Sequence, residues 1–167
     1  MTAQFSQAMA KYAVIDRAYN EEVPLTTSLS PVEKVLCLQS VEVFKHATTE
    51  MLTYISSIAE EVTVAPQAVI FSENQMSDSM YVIVTGHVRL EKEGKEILVV
   101  GPSQSFGTWA LFDNAPRLMA AVALEETLLL KIVSDTFYEF LADHEEVTPA
   151  IFKAVIERVK ALAPEAL

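Results

Sequence analysis

One cysteine, Cys37, stands in 167 residues, so neither a disulfide within the chain nor a cysteine metal cluster can form. Among Val35, Leu36 and Leu38 that thiol reads as a small buried apolar residue, in keeping with a reducing, cytoplasmic compartment. Glycine is scarce, four residues in all, which excludes collagen-like and low-complexity classes. Positive charge is scarce too. Twelve Lys and Arg against 23 Asp and Glu give a net charge of −11, which argues against nucleic acid and against an anionic membrane surface as partners. No apolar run approaches the ~20 residues of a membrane span, and the first residues lack the basic stretch and apolar run of a secretion signal. What remains, at 51% hydrophobic, is one domain's length of chain with a single sizeable core.

Catalytic constellations are missing as well. His46, His87 and His144 each stand alone, without the two-residue histidine spacing that a metal centre on a β strand uses. There is no Gly-x-Ser-x-Gly element and no Cys–His pairing. The acidic pairs Glu60–Glu61, Glu125–Glu126 and Glu145–Glu146 fall at element ends and read as solvated charge. The reading is a non-enzyme with no metal and no cofactor.

The pattern along the chain changes twice. Residues 1–28 form an N-terminal amphipathic helix and linker: Phe5, Met9, Tyr12, Ile15 and Tyr19 are spaced four, three, three and four, and Pro24 ends the pattern. Residues 29–167 form the main domain. Ser30, Pro31 and Glu33 are a capping box with proline at the first helical position, starting a helix to about residue 39. A short element at 41–44 precedes a second helix capped at Thr48 or Thr49. From residue 61 the period becomes two, with strands expected at 61–64, 68–72, 79–85, 87–91, 96–100, 119–123 and 127–133. Many short strands at regular spacing mean a closed antiparallel jelly roll, so the fold class is α+β with helices on both flanks. Ser134 is read as the cap of a helix to residue 144. Thr148 and Pro149 open the last helix, whose apolar face is Ile151, Phe152, Val155, Ile156, Val159 and Leu162.

The stretch 104–117 carries the chemistry. Gly107 permits a positive φ and a close backbone approach, and the turn opening at Thr108 to Ala110 offers amide N–H groups. Arg117 is the one cation between Lys95 and Lys131, and a guanidinium meets a phosphate's paired oxygens bidentately. The alternative for Arg117 is an ion pair with Asp113 or Glu125. Thr108 is read as a helix cap and Trp109 as core filling, with a pocket-shielding role as its alternative.

Phe106, Gly107, Ala110, Leu111, Pro116 and Arg117 resemble, at the same spacing, the phosphate-binding cassette of the cyclic-nucleotide-binding domain family. Val69, Ile70 and Phe71, and the run from Asp78 to Val88, are similar to that family's strand motifs, and the resemblance extends from about residue 38 to residue 162. It implies a regulatory or sensor domain in which Phe106, Gly107, Thr108, Trp109, Ala110, Pro116, Arg117, Leu118 and Ala120 surround a cyclic nucleotide. Two departures stand out. Thr108 occupies the place of the acidic residue that takes the ribose 2′-hydroxyl, and Leu118, Met119 and Ala120 follow the arginine where a hydroxyl is common. Ala120, where cyclic-GMP readers often carry a hydroxyl, points to cAMP as the ligand. The family's turn glycines are replaced at Gln67, Asn74 and Ser77, so altered loops are expected at 67 and 77, while asparagine tolerates a positive φ. The alternatives are an interaction module that keeps the fold without a ligand, and a sensor for another small anion. The N- and C-terminal helices are candidates for a homodimer seam or a partner-protein surface.

The charge balance, with no recognition helix read before Leu167, generates a direct expectation. Residues 1–167 alone leave duplex DNA unshifted at physiological salt. A salt-dependent gel shift at micromolar protein or below would contradict it.

Overall fold

The computed structural model describes residues 28–162. The expected helix over residues 1–22 therefore lies outside the described residues.

The chain enters at Ser28, whose hydroxyl donates to Glu61 Oε1 (2.8 Å), while Leu29 N donates to Glu61 Oε2 (3.0 Å). Helix α1 (Pro31–Gln39) begins on the expected capping box: Ser30 Oγ accepts from Glu33 N (3.3 Å), and the Glu33 carboxylate accepts from Ser30 N (2.8 Å). A 3₁₀ turn (Glu42–Phe44) leads to α2 (Thr49–Ser57), capped by Thr48 on Met51 N. Eight strands follow: β1 (Glu60–Val64), β2 (Val69–Phe71), β3 (Ser79–Thr85), β4 (Val88–Lys92), β5 (Lys95–Val100), β6 (Ser105–Phe106), β7 (Ala120–Ala123) and β8 (Thr127–Val133). Helix α3 (Ser134–Asp143), a 3₁₀ turn (Glu145–Val147) and α4 (Thr148–Leu162) complete the described chain.

The strands make two antiparallel four-stranded sheets, ordered β1-β8-β3-β6 and β2-β7-β4-β5. Alternation along β3 and β8 explains how they stack. Met80, Val82, Val84, Leu130 and Ile132 point into a core shared with the helices, around Leu38, Phe44, Leu52, Ile55 and Phe137. Tyr81, Ile83 and Leu129 point the other way, into a second core with Phe71, Val88, Leu90, Phe106 and Ala121. The first sheet is thus the middle layer, with helices on one side and the second sheet on the other.

Three local expectations are corrected. Ser134 does not cap α3: Val133 holds the N-cap position without a side-chain bond, and Ser134 N instead donates to Asp78 O (2.8 Å). Gln67 keeps the turn its glycine-like position requires, at φ 63°, held by Gln67 N to Ala123 O (2.8 Å) and Nε2 to Leu124 O (3.3 Å). Asn74 keeps its turn as expected, at φ 64°. The apolar face expected of the last helix divides. Ile151 and Ala154 are buried, whereas Phe152, Ile156, Val159 and Leu162 are exposed.

Side-chain charges fix α4 laterally. Glu157 pairs with Lys45 (2.9 Å) and His46 (2.8 Å), and Arg158 pairs with Glu42 (3.1 Å). Hydrogen bonds from His46 and Lys45 hold the Glu157 carboxyl down at about 2.

Two outcomes follow. Phe137 is fully buried, with Phe44, Phe112 and Phe140 at ring distances of 6.3, 6.5 and 6.3 Å. Phe137→Ala is expected to cost about 3–5 kcal/mol in urea unfolding, with the denaturant slope unchanged. The depressed Glu157 pKa means that its contribution is present above the ordinary carboxylate value of 4.5 and is lost as pH falls toward about 2. The gap in urea midpoint between wild type and Glu157→Gln is therefore expected to close between about pH 5 and about pH 2; a constant gap would contradict the assignment.

Candidate functional site

The site is built where β6 ends. Phe106 pairs with Tyr81 and Ser105 with Val82, so β6 is fixed to the middle of β3. Phe106 stacks on Tyr81 at 5.2 Å and lies 5.9 Å from Phe71, placing it in the barrel core. Gly107 follows at φ 68°. A Cβ there would stand 2.6 Å from Arg117 Nη1 and 3.3 Å from Ser79 O, so glycine is required both for the turn and for space. The 3₁₀ turn Thr108–Leu111 then reverses the chain.

The return limb is strapped to the β2–β3 loop. Asn74 N donates to Arg117 O (2.8 Å), Arg117 N donates to Gln75 O (2.7 Å), and Met76 and Pro116 form a bridge. Ser77 Oγ donates to Ala115 O. This strapping aims the Arg117 side chain inward, where it is only 6% exposed. Nη2 donates to Ser79 O (2.6 Å), Nη1 makes a long contact to Gly107 O (3.4 Å), and Asp78 Oδ1 lies 3.6 Å from Nη2. The guanidinium carbon sits 4.0 Å from the Phe71 ring centroid. Nε has no partner. Burial pulls the guanidinium's pKa down and the neighbouring Tyr81 and Asp78 push it back, so the group remains a buried cation.

Above it opens a cavity of about 370 Å³. Gly107, Trp109, Ala110, Pro116, Arg117 and Leu118 line it, as the sequence suggests, together with Phe71, Ser77, Leu90, Asp113, Ala115 and Met119. Phe106, Thr108 and Ala120 are not among the lining residues. Phe106 is core beneath the arginine, and Ala120 opens β7 opposite Glu91. Thr108 is buried at 7% and makes no cap bond; Gly107 holds the N-cap position, which corrects the expected threonine cap. The expected outward amides are also reduced, because Ala110 N donates to Gly107 O (3.0 Å) within the turn.

Trp109 does not fill the core. It is 44% exposed at the cavity rim, with the Arg158 guanidinium 5.5 Å from the ring centroid. Arg117 pairs with neither Asp113 nor Glu125 but with Asp78 and two backbone carbonyls. Ser77 was legible only as a replaced glycine, yet its hydroxyl ties the two loops together. Phe71 and Leu90 read as ordinary strand residues, and nothing in their spacing marks them as cavity walls. Among the described residues no group of His, Cys, Asp and Glu is placed to hold a metal, and no helix is long and apolar enough to cross a membrane. The arrangement can accept one anion: a fixed cation on an apolar floor, beside a glycine that leaves room.

Known proteins repeat this architecture. The sequence profile of the family described as Cyclic nucleotide-binding domain matches residues 61–144, from β1 to the end of α3. A CRP-like cAMP-activated global transcriptional regulator of Mycobacterium tuberculosis is 27% identical over 96 residues, covering 54% of this chain and 43% of the relative. A cAMP-dependent protein kinase regulatory subunit of Blastocladiella emersonii is 28% identical over 125 residues, covering 72% of this chain and 31% of the relative. The chain thus spans less than half the length of these curated relatives. Among solved structures, the N-terminal domain of a transcriptional regulator from Streptomyces coelicolor A3(2) superposes with a TM-score of 0.69 at 30% identity, covering 74% of this chain and 89% of that one. A cyclic nucleotide-binding-like protein from Brucella abortus gives 0.61 at 32% identity, over 66% and 98%. With half the chain under the family profile, this protein belongs to the cyclic nucleotide-binding domain family.

Proposed function

We propose that the domain is a non-catalytic regulatory sensor in which the cavity above Arg117 receives a cyclic nucleotide, with cAMP as the ligand. The observation that carries this reading is the buried guanidinium of Arg117, held against Gly107 at the floor of an apolar cavity with Nε uncommitted. A cyclic phosphate on Arg117 would neutralise a desolvated charge, and the apolar walls and Trp109 suit a nucleobase. The regulatory relatives lend support, and the output lies in a partner or a further domain that occupancy of this pocket would govern.

A specific observation favours a second reading, an interaction module that keeps the fold without a ligand. Arg117 already has Ser79 O, Gly107 O and Asp78 as neighbours, so an anion must compete with protein groups.

Thermal unfolding and calorimetry with cAMP, cyclic GMP and inorganic phosphate separate these readings. A cAMP site gains about 2.7 kcal/mol of stability at a hundredfold excess over Kd. Arg117→Ala is expected to abolish that gain and also to lower the stability of the free protein, since Ser79 O and the Phe71 face lose a buried partner. A cAMP affinity equal in mutant and wild type would remove the cassette from the reading. No response to any nucleotide would leave the interaction module.

A further inference from the structure

Ser77, Asp113 and Arg117 are the residues with polar side chains among those that line the cavity, and two of them already have their tasks. Arg117 is the cation at the floor, and the Ser77 hydroxyl gives its proton to Ala115 O. Asp113 is the one carboxylate among the lining residues. Thr108, at the other end of the same turn, is buried and does not line the cavity, so it leaves that task to Asp113.

Asp113 is braced in place. Its N–H donates to Trp109 O (2.9 Å), and its Oδ1 accepts from Ala115 N (3.1 Å). Its carbonyl oxygen lies 3.4 Å from the Ser77 hydroxyl, on the strap that also fixes Arg117. Oδ2 has no partner among the described residues. A charged acceptor and a charged donor thus stand four residues apart on one segment, at the wall of one cavity.

Asp113 is exposed to solvent in the free protein. A ligand seated in the cavity takes water away from its carboxylate, which accepts hydrogen bonds and cannot donate them. An anion with no donor at that end leaves the carboxylate unpaired and adds like-charge repulsion to that cost. A hydroxyl or amine there replaces the lost water with a charge-assisted hydrogen bond. On the cyclic-nucleotide reading given above, we propose that Asp113 determines the specificity of the site by accepting a hydrogen bond from a donor that the ligand carries beyond its phosphate. The cavity then selects anions that bear such a donor over those that lack it. In cAMP two groups have this chemistry, the ribose 2′-hydroxyl and the exocyclic amine of the base.

Calorimetry on the full chain tests this with cAMP, its 2′-deoxy analogue and cyclic IMP, which has a carbonyl in place of the amine. Wild type is expected to bind one analogue about tenfold or more weakly than cAMP, and the analogue that suffers names the donor. Asp113→Ala is expected to weaken cAMP by the same factor and to bind cAMP and that analogue equally. Asp113→Asn keeps an acceptor for Ala115 N and puts an NH₂ group in place of the uncommitted oxygen, so it is expected to level the two ligands in the same way. Wild-type discrimination that persists in both variants would give the role to another residue. A wild type that binds all three ligands alike would show that Asp113 reads no donor. Either result overturns the inference and leaves the cyclic-nucleotide reading standing. A wild type that binds none of the three removes that reading, and the inference falls with it.

Discussion

The first sheet is apolar on both of its faces, and the rest of the molecule is arranged to satisfy that condition. Met80, Val82 and Val84 on one side of β3 need the helices, while Tyr81 and Ile83 on the other need the second sheet. Neither layer alone would remove β3 and β8 from water, so the helices are part of the fold rather than appendages to a barrel. The same strand carries the site. Tyr81 seats Phe106, and the carbonyl of Ser79 accepts from Arg117. The cavity is therefore referenced to the best-buried strand in the molecule. The loop that bears Arg117 is in turn strapped to the β2–β3 loop, so strand and loops together set the cavity's geometry.

Folding and recognition meet in one side chain. Burying a guanidinium costs solvation, and here Ser79 O, Asp78 and the face of Phe71 offset that cost. The result is a cation already oriented and stripped of water, so on the proposed reading little ordering would remain to be done for an anion to bind. Gly107 is the counterpart of this arrangement. A methyl group there would occupy the space now filled by Nη1, so glycine and arginine act as a unit.

Much of this could be read in advance, for identifiable reasons. Strand positions followed from a period of two, and α1 began where Ser30, Pro31 and Glu33 place a capping box, because these signals are local. What escaped the sequence depends on contacts between distant segments. Ser134 looks like a cap, but the sheet supplies the bond through Asp78 O. Gln67 looks unsuited to a left-handed turn, yet the backbone of Ala123 and Leu124 holds it there. Trp109, a large apolar residue in a buried turn, reads as core and instead stands at the rim under Arg158. In the candidate site, the glycine, the arginine and the proline were legible from spacing. The walls at Phe71, Ser77 and Leu90 were not, because they come from strands and loops that only the closed barrel brings together.

The scarcity of basic residues bears on which anion the proposed site would take. Arg117 is the only cation among the cavity's lining residues, and Asp113 lines the same space while Asp78 lies 3.6 Å from the guanidinium. A terminal phosphate carries about −1.5 to −2 charges near neutral pH and would meet one cation beside two carboxylates. A phosphodiester carries a single charge, which one guanidinium balances. The chain's overall charge of −11 acts in the same direction, repelling a dianion more strongly than a monoanion at long range. On the proposed reading, the electrostatic balance around Arg117 would favour the cyclic over the open form of a nucleotide monophosphate, on charge alone and before any contact with sugar or base.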